Sequence, residues 1–316
     1  MSVLLWIAGT VALARSNRRR PWDAAIFAAS PLLLFAVFSS WDLWAAALGA
    51  VGLFLFSRRR TMAAGIVLGF AICAQPYTAL IVLAIVLVLI RRRLTVQLAN
   101  LLAGTALSWL VFKLPLLLLN PAGWSAYWAK GWNGDPATGS IYYAINTIAQ
   151  RLGLSAFSPL DASVIALVLL VLGIIAVAWL CFSTRYTPRV AHLALLLVGW
   201  FLLVDKHASA EHLIWLLPLF ALARPRWRSL LIWQVFGILF YLAQLLHLGV
   251  ILGDNNSQHS IDLPDFVLAM LASGTATLIL LAFSVRDLLR PEHDPIRRVG
   301  ADDPLVDAFS RQAVQK

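Results

Sequence analysis

The chain has 316 residues, of which 61% are hydrophobic and only 13% charged. A soluble globular domain carries about a quarter charged residues, so the composition excludes one. The net charge of +10 does not point to nucleic acid, because Lys and Arg fall in short clusters between apolar runs, as topology signals do.

The apolar runs lie near 2–14, 22–38, 43–56, 62–74, 77–90, 98–119, 162–182, 190–204, 213–223, 229–252 and 265–285. They predict an all-α, polytopic transmembrane bundle of ten or eleven apolar segments over residues 1–285. A polar tail follows over 286–316. The basic clusters at 15–20, 58–60, 91–93, 185–189, 224–228 and from 286 all reach one side if the runs alternate. Positive-inside bias makes that side the cytoplasm of a cell membrane. Runs 62–74 and 77–90 then form a hairpin turning at Gln75-Pro76, either re-entrant or two short spans inside the bundle. The first run has no basic region before it and an Arg cluster after it, which argues against a signal peptide. The expectation is an N-terminus outside or a first helix whose first part is missing, with room for an even number of absent upstream spans. Cys73 and Cys181 lie inside apolar runs and read as small buried hydrophobes rather than a disulfide.

The outward segments are then 39–42, the hairpin tip, 120–161, 205–212 and 253–265, and they hold the candidate chemistry. In "FSSWDLW", Asp42 is either a carboxylate that acts as a base or holds a sugar hydroxyl, or a cap for a helix starting at Leu43. Trp41 and Trp44 flank it as interface residues. In "WSAYWAKGWNGDP", Trp124, Tyr127, Trp128 and Trp132 share one helical face. That predicts a helix lying in the headgroup layer, read as an aromatic belt or as a groove that stacks sugars. Lys113 stands about 9 Å below the outer end of its helix. There it either neutralises a lipid phosphate or snorkels to the surface. Gln234, Tyr241 and Gln244 share one helix side, as interhelical hydrogen-bond partners or a polar lining. His192 reads as interfacial.

The stretch "VDKHASAEHLIWLLP" crowds Asp205, Lys206, His207, Glu211 and His212 between apolar flanks. Its H-x-x-x-E-H spacing is one residue longer than a zinc motif, which moves the ligands off one face. No metal site is expected. Asp205 or Glu211 is placed to take a proton from a hydroxyl. Lys206, His207 or His212 would then stabilise a phosphate leaving group. The bland reading is a solvated turn between helices. No phosphate-binding Gly-rich loop and no nucleophile elbow occurs.

Several stretches together resemble glycosyltransferase family 87, the actinobacterial polyprenol-phosphate-mannose-dependent enzymes of the multi-pass GT-C superfamily. They are "RRRPWDAAIFAASPLLL" with "SWDLWAAALGA", "AAGIVLGFAICAQPYTALIV", "KLPLLLLNPAGW", "LLVDKHASAEHLIWLLPLFALARPRWRSLLIWQ" and "VRDLLRPEHDPIRR". The resemblance implies an outward-facing transferase. It would move a hexose, typically mannose, from a polyprenyl-phosphate sugar to a lipid-linked or envelope glycan acceptor, with no nucleotide and no metal. Of the family's N-K-x-x-S-P-Q-Y pattern, Lys206 and Ser209 match, and Asp205, Ala210, Glu211 and His212 depart. The N-W-D-L element persists as Ser40-Trp41-Asp42-Leu43, and the K-x-Y-P turn reads Gln75-Pro76-Tyr77-Thr78. The family's usual catalytic acid lies in a first external loop, upstream of everything matched here. On these grounds the expected catalytic residues are Asp42, Asp205 and Glu211. Trp41, Lys206, Ser209, His207, His212, Lys113, Trp124 and Trp128 would bind substrate. Membrane lipid surrounds the chain. The alternatives are a non-catalytic partner in glycan assembly and a lipid-glycan flippase.

Overall fold

A computed structural model describes residues 1–17, 19–36, 41–252, 261–299 and 303–306. Among them are helices and turns and no strand, so the expected all-α bundle forms. In chain order the helices are α1 (Ser2–Ser16), α2 (Ala25–Ala28), α3 (Pro31–Ala36), α4 (Asp42–Ser57) and α5 (Thr61–Ala74). Then come α6 (Thr78–Arg91), α7 (Thr95–Leu119), α8 (Pro121–Asn133), α9 (Ile141–Arg151) and α10 (Pro159–Ser183). The last are α11 (Val190–Val204), α12 (Leu216–Ala223), α13 (Trp227–Leu252) and α14 (Leu263–Leu289). Of the expected outward segments, residues 39–40 and 253–260 lie outside the described residues, as does Arg18 of the first basic cluster.

Length sorts these helices into two kinds. Helices α7, α10, α13 and α14 are long and apolar enough to cross a membrane, and seven shorter apolar stretches accompany them. The 25 residues of α7 extend about 37 Å, more than a hydrocarbon core of roughly 30 Å. The 14 residues of α5 reach only about 21 Å. Helices α7 and α10 form an outer wall: only 17% of the apolar stretch of each is buried. Among the short ones, α11 and α12 form the core. Every residue of α12 is buried, and so is most of α11. Backbones meet where glycines allow it. A Cβ on Gly65 of α5 would stand 2.2 Å from the Leu101 carbonyl oxygen, and one on Gly104 of α7 would stand 2.4 Å from that of Met62. Small residues let membrane helices approach this closely.

Polar contacts gather at the two ends of the bundle. At the basic end, Arg91 donates to Thr184 Oγ1 at 3.0 Å and to the carbonyl of Cys181. Arg189 grips Asp294 through two hydrogen bonds of 2.7 and 2.9 Å and also caps the carbonyls of Leu222 and Ala223. Arg224 pairs with Asp287 at 2.9 Å. The segment expected as a free tail from 286 is therefore in part built in. Arg286 and Asp287 belong to α14, and Ile296, Leu305 and Val306 are buried.

Two local expectations change, and a third resolves between its alternatives. No side chain caps α4, which begins at Asp42 itself, so Asp42 is not the cap. His192 is 1% exposed and sits inside the bundle rather than at its interface. Gln234 and Gln244 act as bonding partners: Ser30 Oγ donates to Gln234 at 2.8 Å, and the Ala210 N–H donates to Gln244 at 3.0 Å.

Candidate functional site

The outer loops are shaped by legible caps. Asn120 accepts the Gly123 N–H and Pro121 follows it, which starts α8. Ser158 and Asp161 form a capping box with Pro159 between them, which starts α10. Between these helices the chain folds back over the 205–215 segment. Together they enclose a cavity of about 940 Å³.

One wall of the cavity is apolar. Ala166, Leu167 and Leu170 of α10 face Phe201 and Val204 of α11. Trp128 and Trp132 of α8 add flat aromatic surface, and so does Tyr127. The mouth is polar and carries Lys130, Asp135, Asp205, Lys206, His207 and His212. Asp205 is half-buried, and its Oδ1 accepts the His207 N–H at 3.0 Å. Burial pushes its carboxyl above the ordinary carboxylate range. The hydrogen bond from the His207 N–H and the charges of His212, His207 and Lys206 offset this only in part. His207 Nε2 donates to the Gly131 carbonyl at 2.9 Å, which fixes its tautomer because a carbonyl can only accept.

Lys206 is the keystone of this mouth. Its ammonium donates to Ser163 Oγ at 2.6 Å and to the carbonyls of Trp132 at 2.8 Å and Gly134 at 2.9 Å, with Pro159 O at 3.4 Å. It is 3% exposed. An ammonium has three protons, and these oxygens take them all. Burial lowers its pKa, while Asp135 and Asp205 pull it back up. Lys206 thus ties α8, α10 and the 205–212 loop together. Its charge lies near the cavity, but its protons are committed. Lys130 is exposed at the same mouth and makes no side-chain hydrogen bond among the described residues.

The other expected residues fall elsewhere. Asp42 is 1% exposed and does not line the cavity. Its Oδ1 accepts the Trp215 indole N–H at 2.7 Å and Gln75 Nε2 at 2.9 Å, just behind the wall. Trp41 packs edge-on to Trp44. Ser209 donates to Glu211, and Gln244 Nε2 donates to Ser209 Oγ at 3.0 Å, so this pair locks the loop to α13. Trp124 meets Trp109 and Trp128 edge-on outside the cavity. Lys113 is half-buried on α7, also outside it. Sequence reasoning missed Tyr77, which lines the cavity and stacks on Trp215 at 4.0 Å. Trp215 itself was missed as well. Among the described residues no three His, Cys, Asp or Glu side chains gather as metal ligands.

No family model, curated protein or solved structure matches this chain. The functional reading therefore rests on the cavity.

Proposed function

We propose that this membrane protein transfers a hexose, mannose by the resemblance to family 87, from a polyprenyl-phosphate sugar to a lipid-linked or envelope glycan acceptor. The supporting observation is a cavity that joins an apolar wall on α10 to a polar mouth with one half-buried carboxylate, Asp205. A polyprenyl chain suits the wall, where Leu167 is 47% exposed. A sugar suits the aromatic rings of α8, and a phosphate suits the mouth cations.

Asp205 is the base in this scheme. It takes the proton of the acceptor hydroxyl while that oxygen bonds to the anomeric carbon. The bond from that carbon to the phosphate oxygen breaks, and the polyprenyl phosphate leaves with the electron pair. A single displacement of this kind inverts the anomeric centre. Lys130 faces the developing phosphate charge, with the fixed charge of Lys206 behind it. A carboxyl held above its usual 3.8 by burial is a better base than an exposed one.

The test is transfer from radiolabelled polyprenyl-phosphate mannose in membranes containing the full chain. Asp205→Asn should lose about a hundredfold or more of the rate while keeping its melting midpoint. The wild-type rate should fall on acidification at a pH above 3.8, because a raised pKa must be exceeded before the base is free. Full transfer by Asp205→Asn removes the base assignment. No transfer by the wild type favours a non-catalytic partner or a flippase.

A further inference from the structure

The basic end of the bundle has two unlike halves. Around α11 to α14 its arginines meet acids: Arg189 holds Asp294 at 2.7 Å and Arg224 holds Asp287 at 2.9 Å. Along α4 to α7 the acids are missing from the sequence itself, since no Asp or Glu stands between Asp42 and Asp135. Arg58, Arg59, Arg60 and Arg93 are all exposed there.

Both turns place an arginine where helices usually place a glycine. Helix α4 closes with the Arg59 N–H on the Phe56 carbonyl at 2.9 Å and the Arg60 N–H on the Leu55 carbonyl at 3.1 Å. Helix α6 closes the same way, with the Arg93 N–H on Ile90 at 3.0 Å and the Leu94 N–H on Leu89 at 2.9 Å. This closure needs a left-handed residue, most often glycine. Here Arg59 has φ of 65° and Arg93 of 55°, and among the described residues they are the two non-glycine residues with positive φ. A side chain in that region costs free energy that glycine does not. A topology signal needs only charge near the membrane, which an unstrained neighbour supplies equally well. A guanidinium kept twice at a strained position has a further use.

The two turns open onto one surface. A Cβ on Gly65 would stand 2.2 Å from the Leu101 carbonyl oxygen, and one on Gly69 would stand 2.7 Å from that of Thr105. Helices α5 and α7 therefore run side by side in the same direction. Thr61 starts α5 four residues before Gly65, and Thr95 starts α7 six residues before Leu101. Those are rises of about 6 and 9 Å, so the turns before them lie at nearly one level. Apolar side chains are exposed directly after the charges, at Met62, Val96 and Leu102. The arginines thus cap an apolar flank on a helix long enough to cross a membrane.

We propose that Arg58, Arg59, Arg60 and Arg93 bind the headgroups of anionic phospholipids, whose acyl chains lie along Met62, Val96 and Leu102. An acidic protein segment would satisfy the charge but not the apolar flank. This site is separate from the cavity and independent of the transferase reading.

The experiment titrates the full chain in a neutral detergent with phosphatidylglycerol and with phosphatidylcholine of the same acyl chains, and counts bound lipid by native mass spectrometry. The wild type should hold phosphatidylglycerol more tightly. Arg59→Gly and Arg93→Gly should each weaken it about fivefold and leave phosphatidylcholine unchanged. The lipid-free melting midpoint of Arg93→Gly should equal or exceed that of the wild type, because glycine relieves the left-handed backbone. Arg151→Gln, at the end of α9 on the cavity side, should bind both lipids as the wild type does. Equal binding of the two lipids by the wild type overturns the site and leaves the arginines to topology or an acidic protein. An undiminished preference in the paired variant R59G/R93G overturns it as well. Equal weakening by Arg151→Gln also overturns it, because net charge alone would then attract the lipid.

Discussion

Asp42 is a charge with almost no access to water, and what it holds explains why it is there. Its Oδ1 receives donors from 33 and 173 residues further along the chain, Gln75 and Trp215. Asp42→Ala would leave the buried Trp215 indole N–H and the half-buried Gln75 amide without that acceptor. At roughly 1–3 kcal/mol for each unsatisfied group, the loss should total about 3 kcal/mol and lower the melting midpoint in detergent by several degrees. Asp42→Asn keeps an acceptor oxygen and gives up mainly the charge, so about 1 kcal/mol is expected. Equal midpoints for Asp42→Ala and the wild type would show that this oxygen holds nothing that matters to the fold. The residue was visible in the sequence as an acid between two tryptophans, but its role was not. Spacing along a helix reveals neighbours three or four residues away. It has nothing to say about a partner 173 residues on. Asp205, Lys206, His207 and His212 were readable as part of one site because a single short loop carries them all. Even there, the commitment of all three Lys206 protons to oxygens of Trp132, Gly134 and Ser163 had no local signature.

At the scale of elements, the apolar runs matched the helices closely, because a run that must satisfy its own backbone bonds in lipid has to be helical. Composition did not separate wall from core. The apolar stretches of α7 and α5 read alike, yet α7 faces outward while α5 lies against it. Length held that signal: a run of 10–14 residues is more often a buried helix than a full span. The α5–α7 contact offers a sharp test. A methyl at Gly65 would enter the Leu101 carbonyl, and backbone cannot give way as a side-chain tip can. Gly65→Ala should therefore cost about 2 kcal/mol or more, as overpacking does. Gly249→Ala, on α13 with nothing within 4 Å, should gain about 0.5–1 kcal/mol from helix propensity. Melting midpoints of the two variants in one detergent should move in opposite directions. A tolerated Gly65→Ala would mean that the two helices are further apart than the structure places them.

The molecule as a whole is electrically two-ended. Arginines crowd one end, where Asp287 meets Arg224, Arg226 and Arg286, and Asp294 holds Arg189. The cavity end carries Asp135, Asp205 and Glu211 beside Lys130 and Lys206, and no arginine lines the cavity. The alternation of runs anticipated this polarity, and the contacts at each end agree with it. Which end faces the cytoplasm follows from a different argument, that arginine-rich segments resist translocation. The proposed outward transfer depends on that argument, so it merits a direct measurement. Asp135 and Arg60 are both exposed, at opposite ends. Asp135→Cys should react with a membrane-impermeant maleimide on intact cells, and Arg60→Cys only after the membrane is opened. The wild-type chain is the blank, because Cys181 is buried and Cys73 lies half-buried within α5. The reverse pattern would turn the cavity towards the cytoplasm. The arginines would then face outward against the charge bias of membrane insertion. A donor sugar presented at the outer leaflet would have no path to Asp205, and an outward transferase would no longer fit the cavity.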